Sequence, residues 1–404
     1  MKPSVFALAL TGTTALAAIP ASAEDISWIY CGDRLDPVHE KYIAEWEAAN
    51  EGWTVSPEVV GWAQCQDKAT TLAAAGTPPA MAYVGSRTLK EFALSDLIVE
   101  VPMTEEEQAS YYPNIPETVT FDGTQWGVPI AFSTKALYWN KGLFREAGLD
   151  PDTPPKTWEE EIEFAKIITE KTGTPGFGLV AKTFDNTMHQ FLHWVYTNNG
   201  QVIDADGNIT LDSPEVLAAL EGYKAMVPWS EEGPTAYEQN EVRAIFLDGG
   251  VAMIHNGSGA AVRLLETDME WGIAPLPLGP SAQGPGTLLI TDSLAIFDGS
   301  GVEDKAIEFA KYITSPDIQF EYESTSDAGL TPLRPSAGVD QLVEDTPWWG
   351  PLIAGIEYGG PEPLFTDYKG FQNVMIAMVQ SVVTGQAEPQ AALTKAADEL
   401  EDYK

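Results

Sequence analysis

Residues 126–148 read WGVPIAFSTKALYWNKGLFREAG. The stretch starts as a half-polar strand and ends as a helix. Gly127-Val128-Pro129 is a poor start for an ordinary core strand, because proline cannot donate to a ladder. The strand then carries a Ser133-Thr134 pair and three aromatics, Phe132, Tyr138 and Trp139. Such a strand asks for a role beyond filling one core.

The residues before it alternate between two periods. Ile26, Trp28 and Tyr30 point one way along a strand that stops at Cys31-Gly32-Asp33. A helix follows, with Asp36 as cap, Pro37 in the first turn, and Val38, Tyr42, Ile43 and Trp46 on one face. A second strand runs from Thr54 to Val60, and a second helix is predicted over Asp67–Ala75. A third strand, Ala80 to Val84, ends at Gly85-Ser86, where another helix begins. This β-α-β-α-β order implies parallel strands with right-handed crossovers. In such sheets ligands sit beyond the carboxyl ends of strands. Those ends are Cys31–Arg34, Gly61–Gln64 and Gly85–Arg87.

Composition narrows the function. Lys and Arg number 22 against 60 Asp and Glu, a net charge of −38. That balance repels phosphate backbones and anionic lipid, so nucleic acid and membrane surfaces are not expected partners. The acids are spread along the chain, which reads as a solvated surface rather than a cation trap. Residues 1–23 carry Lys2, a short apolar centre and Ala21-Ser22-Ala23, the pattern of a secretory signal cleaved after Ala23. No cysteine follows that cut, so no lipid anchor is expected, and the periplasm is the expected compartment. The remaining chain, about 380 residues, exceeds one comfortable core and suggests two domains. Cys31 and Cys65 are the two cysteines. In an oxidising compartment an even pair suggests a disulfide, with a catalytic thiol as the rival.

Further along, Thr157 with Glu160 reads as a capping box, Ser213-Pro214 opens another helix, and residues 201–210 read as a hairpin around Asp206-Gly207. Val251–His255 is a short buried strand that delivers a Gly-rich loop to a helix. Leu288–Phe297 is an apolar strand interrupted by Thr291-Asp292-Ser293.

With these elements in place, the chain resembles the solute-binding proteins of ABC importers, in the carbohydrate-binding, maltose-binding-protein-like family. The residues that carry the resemblance are Gly127, Pro129, Tyr138, Asn140, Lys141, Leu143, Phe144, Ala147-Gly148-Leu149, Pro155, Thr157, Trp158 and Glu160. Later matches are Gly250 with Ala252-Met253, Pro275 and Pro277 with Gly279, Ala306 with Phe309, Ser315-Pro316 with Gln319, and Gly329 with Pro332. The resemblance implies an α/β, two-lobed periplasmic binding protein fold of type II-like form, with central mixed sheets flanked by helices. Lobe one would be 24–130 with 294–334, and lobe two 131–290 with 346–404. Hinge segments would fall near 130–132, 287–293 and 335–345. On this reading the opening stretch crosses between lobes and passes the ligand. In one place the chain departs from the pattern: Thr291-Asp292 stands where relatives often have Gly-Gly, which puts a carboxylate where backbone would meet ligand.

A sugar offers hydroxyls in a ring plane and apolar C–H faces, so its site needs planar polar groups and an aromatic face. The candidate ligand contacts are Asp33 and Arg34 after strand one, Trp62 and Gln64 after strand two, and Ser86 and Arg87 after strand three. Phe132 and Ser133 lie on the crossing, and Asp185 and His189 on a helix. Asn256 and Ser258 lie in the Gly-rich loop, Thr291 and Asp292 on the second crossing, with Arg334 and Trp348 beyond. A bridge between Cys31 and Cys65 would fix the first two loops beside each other. No metal or other cofactor is expected. His189 and His193 have zinc-protease spacing, but Gln190 replaces the glutamate base. Asp204-Ala-Asp-Gly-Asn lacks the spacing of a calcium loop. Tyr111-Tyr112 is weak as a ferric pair. The expected function is capture of a sugar, glycoside or polyol by a monomer that delivers it to membrane permease subunits of an ABC importer, without covalent chemistry. A cationic solute such as a polyamine is the alternative, and a secreted glycoside hydrolase a more distant one.

Overall fold

The computed structural model describes residues 24–403, apart from 205, 326–329 and 358. The leader expected at 1–23 lies outside the described residues, as does Gly329. Strand β1 (Glu24–Cys31) is followed by helix α1 (Pro37–Ala49). Asp36 accepts a hydrogen bond from Val38 N at 2.9 Å, a cap that contributes about 1 kcal/mol. β2 (Trp53–Val60) and β3 (Met81–Gly85) both run parallel to β1. Between them lies α2 (Trp62–Ala74). This helix begins five residues before the predicted Asp67. Gln64 N and Cys65 N both reach Gly61 O, and glycine supplies no side-chain cap. The usual start signal is therefore missing, and Trp62, Gln64 and Cys65 sit in a first helical turn rather than a loop.

A 3₁₀ turn over Ser86–Thr88 leads into α3 (Leu89–Leu94). α4 (Glu105–Ala109) and a short hairpin of β4 (Thr120–Phe121) and β5 (Thr124–Gln125) follow.

Residues 126–148 form two strands, not one. β6 (Val128–Ser133) and β7 (Ala136–Asn140) belong to different sheets. β7 lies between β8 (Met253–Asn256) and β9 (Trp271–Ala274), antiparallel to both. β6 pairs with β10 (Leu288–Ile296), with a register shift between Asp292 and Ser293. Thr134 and Lys135 make the step between sheets, and both are buried. Thr134 Oγ1 donates to Leu352 O at 2.7 Å and lies 3.1 Å from Thr331 Oγ1. Lys135 N donates to Thr287 Oγ1 at 3.1 Å. The step is thus tied to the start of β10. Past β7, Asn140 caps α5 (Lys141–Ala147), which Gly148 closes at φ +83°.

The middle of the chain packs as α6 (Trp158–Thr172), α7 (Asp185–Tyr196), α8 (Pro214–Met226), α9 (Gln239–Leu247) and α10 (Ser258–Leu264). Thr157 accepts from Glu160 N, but the Glu160 carboxylate takes Lys156 N instead of returning to Thr157. The predicted hairpin at 201–210 is reduced to a single bridge, Ile203 with Ile209. Then come α11 (Glu303–Ile313), α12 (Pro316–Thr325), α13 (Ala337–Asp345) and α14 (Trp349–Ala354). Strand β11 (Gly360–Pro361), parallel to β10, precedes α15 (Tyr368–Val383) and α16 (Pro389–Leu400).

One sheet runs β11-β10-β3-β1-β2, with β6 also on β10, and the other runs β8-β7-β9. Two large apolar cores accompany them. One gathers Ile26 through Ala131 and Leu294 through Tyr322. The other gathers Leu137 through Met253, Leu288, and Phe365 through Leu400. β10 touches both cores: Leu288 sits in the second, and Leu294, Ala295 and Ile296 in the first.

Candidate functional site

β3 ends at Gly85, and the turn after it presents Ser86 and Arg87. A Cβ on Gly85 would sit 2.5 Å from the Arg87 guanidinium. Glycine is therefore what lets the guanidinium fold back over the strand end. Ser86 Oγ, in this turn, and Ser293 Oγ, on β10, are 2.6 Å apart. Arg87 Nη1 donates to Glu362 Oε2 at 3.1 Å and lies 3.5 Å from Asp292 Oδ1. Its Nη2 is 3.9 Å from Asp185 Oδ2. The other Glu362 oxygen accepts from His189 Nε2 at 2.6 Å and from Tyr368 OH at 2.9 Å. Arg87 comes from the first sheet, whereas His189 and Tyr368 come from helices of the second core.

The network continues towards solvent. Tyr83 OH donates to Asp292 Oδ2 at 3.1 Å. The Trp62 ring stands edge-on to Tyr83, with centroids 5.2 Å apart. Trp62 is 55% exposed, among the most open large apolar side chains of the described residues. It opens α2, and one turn later Cys65 is joined to Cys31 at the end of β1. The disulfide thus clamps the turn that carries Trp62 to the first sheet.

Burial raises both central acids, and their neighbours then set them apart. Burial alone would raise the Glu362 pKa. The charges of Arg87 and His189, with the hydrogen bonds from His189 and Tyr368, instead hold it down at about 2. Burial raises Asp292, Arg87 pulls it back, and repulsion from Glu362 leaves it at about 6. The site therefore holds planar donors and acceptors, with Glu362 held ionised among them, beside an exposed indole face. That arrangement can meet hydroxyl groups on one side and C–H faces on the other.

A second group of site residues lies on the step between sheets. Lys135 Nζ donates to Ser133 Oγ at 3.2 Å. Asn256 pairs with Ala136 across β7 and β8, which brings Gly257 and Ser258 alongside. Asp185 Oδ1, Thr291 Oγ1 and Asn256 Nδ2 are buried without a hydrogen-bond partner among the described residues.

Of the predicted contacts, Trp62, Ser86, Arg87, Asp185, His189, Thr291 and Asp292 gather at the first group, and Ser133, Asn256 and Ser258 at the second. Asp33, Arg34 and Gln64 are exposed near the end of β1 and the first turn of α2. Phe132 faces the other way and is 1% exposed. It packs with Tyr111, Ile115, Leu289, Leu333 and Ile356. Arg334 lies over the Tyr111 ring at 3.7 Å and donates to Ser110 Oγ. It lines a separate cavity of about 310 Å³ with Met103, Lys311 and Thr314. That cavity is bounded only by residues 103–128 and 311–334, so closing one core on the other would not grip its contents. Trp348 stacks on Trp349 at 4.3 Å in a third cluster.

Glu362, Tyr83, Tyr368 and Lys135 were not singled out by the sequence. A lone acid in Gly359-Gly-Pro-Glu-Pro and a lone lysine in the apolar run FSTKALYW were the available signals.

The model of the bacterial extracellular solute-binding protein family matches residues 36–320. This chain belongs to that family. A Brucella abortus (strain 2308) chain described as a binding protein is 27% identical over 374 residues, 90% of this chain and 89% of that one. The sn-glycerol-3-phosphate-binding periplasmic protein UgpB of the same organism is 30% identical over 300 residues, 70% of this chain and 66% of that one. Among solved structures, maltose-bound MalE3 of T. maritima has a TM-score of 0.81 at 25% identity, covering 94% of this chain and 100% of that one. A solute-binding protein from Agrobacterium radiobacter K84, in complex with ribitol, has a TM-score of 0.76 at 24% identity, over 95% and 99%. The fold is that of the two-lobed, maltose-binding-protein-like solute-binding proteins, and the family is one of transport proteins rather than enzymes.

Proposed function

We propose that this chain is the periplasmic substrate-binding component of an ABC importer, capturing a sugar, glycoside or polyol between two lobes and delivering it to the permease. Lobe one would comprise 24–130 with 294–334, and lobe two 131–290 with 346–404. The single observation that carries this reading is the continuous line Trp62–Tyr83–Asp292–Arg87–Glu362–His189. It joins an exposed aromatic face to a fixed polar network whose members come from both cores. Relatives that bind maltose, ribitol and sn-glycerol 3-phosphate support the same class of ligand. Ligand bridging both walls would shift an open–closed equilibrium by its differential affinity for the closed form. A micromolar ligand supplies about 8 kcal/mol for this. No covalent step is required. A polyamine would need several carboxylates left uncommitted, whereas Glu362 and Asp292 are both engaged by Arg87 and Asp185 keeps one unpartnered oxygen among the described residues. The remaining expectations are export with cleavage after Ala23, absence of a lipid anchor, and a monomeric state.

A calorimetric screen with mono- and disaccharides, polyols, acidic sugars and polyamines tests the reading. One or more hydroxylated solutes should bind at micromolar affinity or tighter, and Trp62→Ala should weaken that binding. Binding confined to polyamines, or to none of the panel, would contradict it.

A further inference from the structure

Lys135 is the unusual cation of this molecule. Acids outnumber bases by 60 to 22, and exposed lysines find partners readily, as Lys41 does with Glu321 and Lys182 with Glu241. Lys135 is 6% exposed. Its ammonium donates to Ser133 Oγ alone, with no carboxylate within 4 Å among the described residues. A buried ammonium with most of its donors unused costs several kcal/mol unless something meets it.

The surroundings compound the cost. Burial, followed by the positive charge of Arg243 on α9, brings the Lys135 pKa down to about 8, against the opposing pull of Asp185, Asp292 and Glu362. Arg243 itself is half-buried and has no ion-pair partner within 4 Å among the described residues. Two cations held near one another repel in a region of low dielectric. The backbone of the adjoining loop comes up to the same spot. A Cβ on Gly257 would lie 3.4 Å from Lys135 Nζ and 3.1 Å from Ser133 Oγ. Asn256, next to it, is buried with Nδ2 unpartnered. Donors converge here with only Ser133 Oγ in hydrogen-bond reach of the ammonium; the carboxylates of Asp185, Asp292 and Glu362 act on it from beyond 4 Å.

We propose that the ligand carries an oxyanion – a carboxylate, phosphate or sulfonate – on an otherwise hydroxylated frame, and that Lys135, Arg243 and the Asn256 amide receive it. The inference rests on the sugar or polyol reading above and names the substrate class within it. The site is then polarised. Hydroxyls and C–H faces meet Trp62, Asp292 and Arg87 at one end. The anion meets Lys135 at the other, where the chain steps between sheets. The overall negative charge does not oppose this, since charges beyond about 10 Å are screened at ordinary salt.

Calorimetry with the full mature chain tests the assignment. The probes are glucuronate, glucose phosphate and a sulfonated glucose, each against glucose, and gluconate against glucitol. At least one acid should bind about tenfold or more tighter than its neutral counterpart, with affinity falling as salt rises. Lys135→Met should shrink that acid-to-neutral ratio towards unity. Replacing a buried ammonium by an apolar chain of similar length should not impair folding, and Arg243→Gln, at a half-buried position, provides a second reading of the same ratio. Neutral compounds binding as tightly as the acids, an unchanged ratio in both variants, or no binding of any acid would each overturn the assignment. If the neutral compounds also fail to bind, the underlying sugar or polyol reading falls with it; if they bind, that reading stands alone.

Discussion

Arg87 and Glu362 are 275 positions apart in sequence, yet Nη1 of one lies 3.1 Å from Oε2 of the other, both largely shielded from water. The pair fastens a strand end of the first sheet to the segment after β11. Glu362→Ala should cost roughly 3 kcal/mol, because it leaves a buried guanidinium short of its best partner.

The same pair has an acid signature. The folded-state pKa of Glu362 is depressed to about 2. Its contribution is therefore complete above about 4.5, the unfolded value, and is lost as pH falls towards 2. The stability gap between wild type and Glu362→Gln, measured by urea titration, should narrow by roughly 1–2 kcal/mol between pH 4.5 and pH 3. A gap that stays constant would mean that the carboxylate is not held ionised by Arg87.

Gly85→Ala tests the positioning of Arg87. The backbone there is extended, φ −64° and ψ 129°, so alanine fits the conformation. Its Cβ would collide with the flexible end of Arg87. The displaced guanidinium loosens the pair with Glu362, so stability should fall by no more than the roughly 3 kcal/mol of Glu362→Ala, while ligand affinity drops about tenfold. Unchanged affinity, read by calorimetry, would remove Arg87 from the binding site.

Glu323 carries the opposite pH sign. Burial raises its pKa to about 8, although Gln319 Nε2 and Leu333 N both donate to it. With the folded pKa above the unfolded one, stability is full below about 4.5 and declines as pH rises through 8. Glu323→Gln keeps an acceptor for Leu333 N and removes the titration. At pH 8.5 the variant should unfold at higher urea than wild type, and near pH 4.5 the two should converge.

The disulfide should matter twice. Closing the 34-residue separation between Cys31 and Cys65 constrains the unfolded chain by nearly 4 kcal/mol in the entropy model. Reduction, or Cys31→Ser with Cys65→Ser, should lower stability by that order. It should also weaken ligand binding several-fold, because the turn that carries Trp62 loses its clamp. Equal affinity for the oxidised and reduced protein would confine the bridge to a stabilising role.

What the sequence made legible was local. Asp36, Thr157 and Ser213 cap the helices they were assigned, because a cap is decided within four residues. The parallel order of the first three strands followed from the alternation of periods. The strand ends pointed to Ser86 and Arg87 for the same reason, whereas Asp292 was marked by its departure from the family pattern. The start of α2 was obscured because Gly61 offers no cap. The orientation of Phe132 was obscured because β6 is buried on both faces from Val128 to Phe132, so a period of two carries no direction. Glu362 and Tyr368 became site residues only through contacts with Arg87 and His189 across much of the chain, and no short window of sequence encodes that.

Gripping a small molecule between two lobes is the central claim, and solution scattering addresses it directly. With a solute shown by calorimetry to bind, the radius of gyration of the mature protein should fall, and Trp62→Ala should require more solute to reach the same compact form. An identical scattering profile with and without saturating solute would contradict capture by closure.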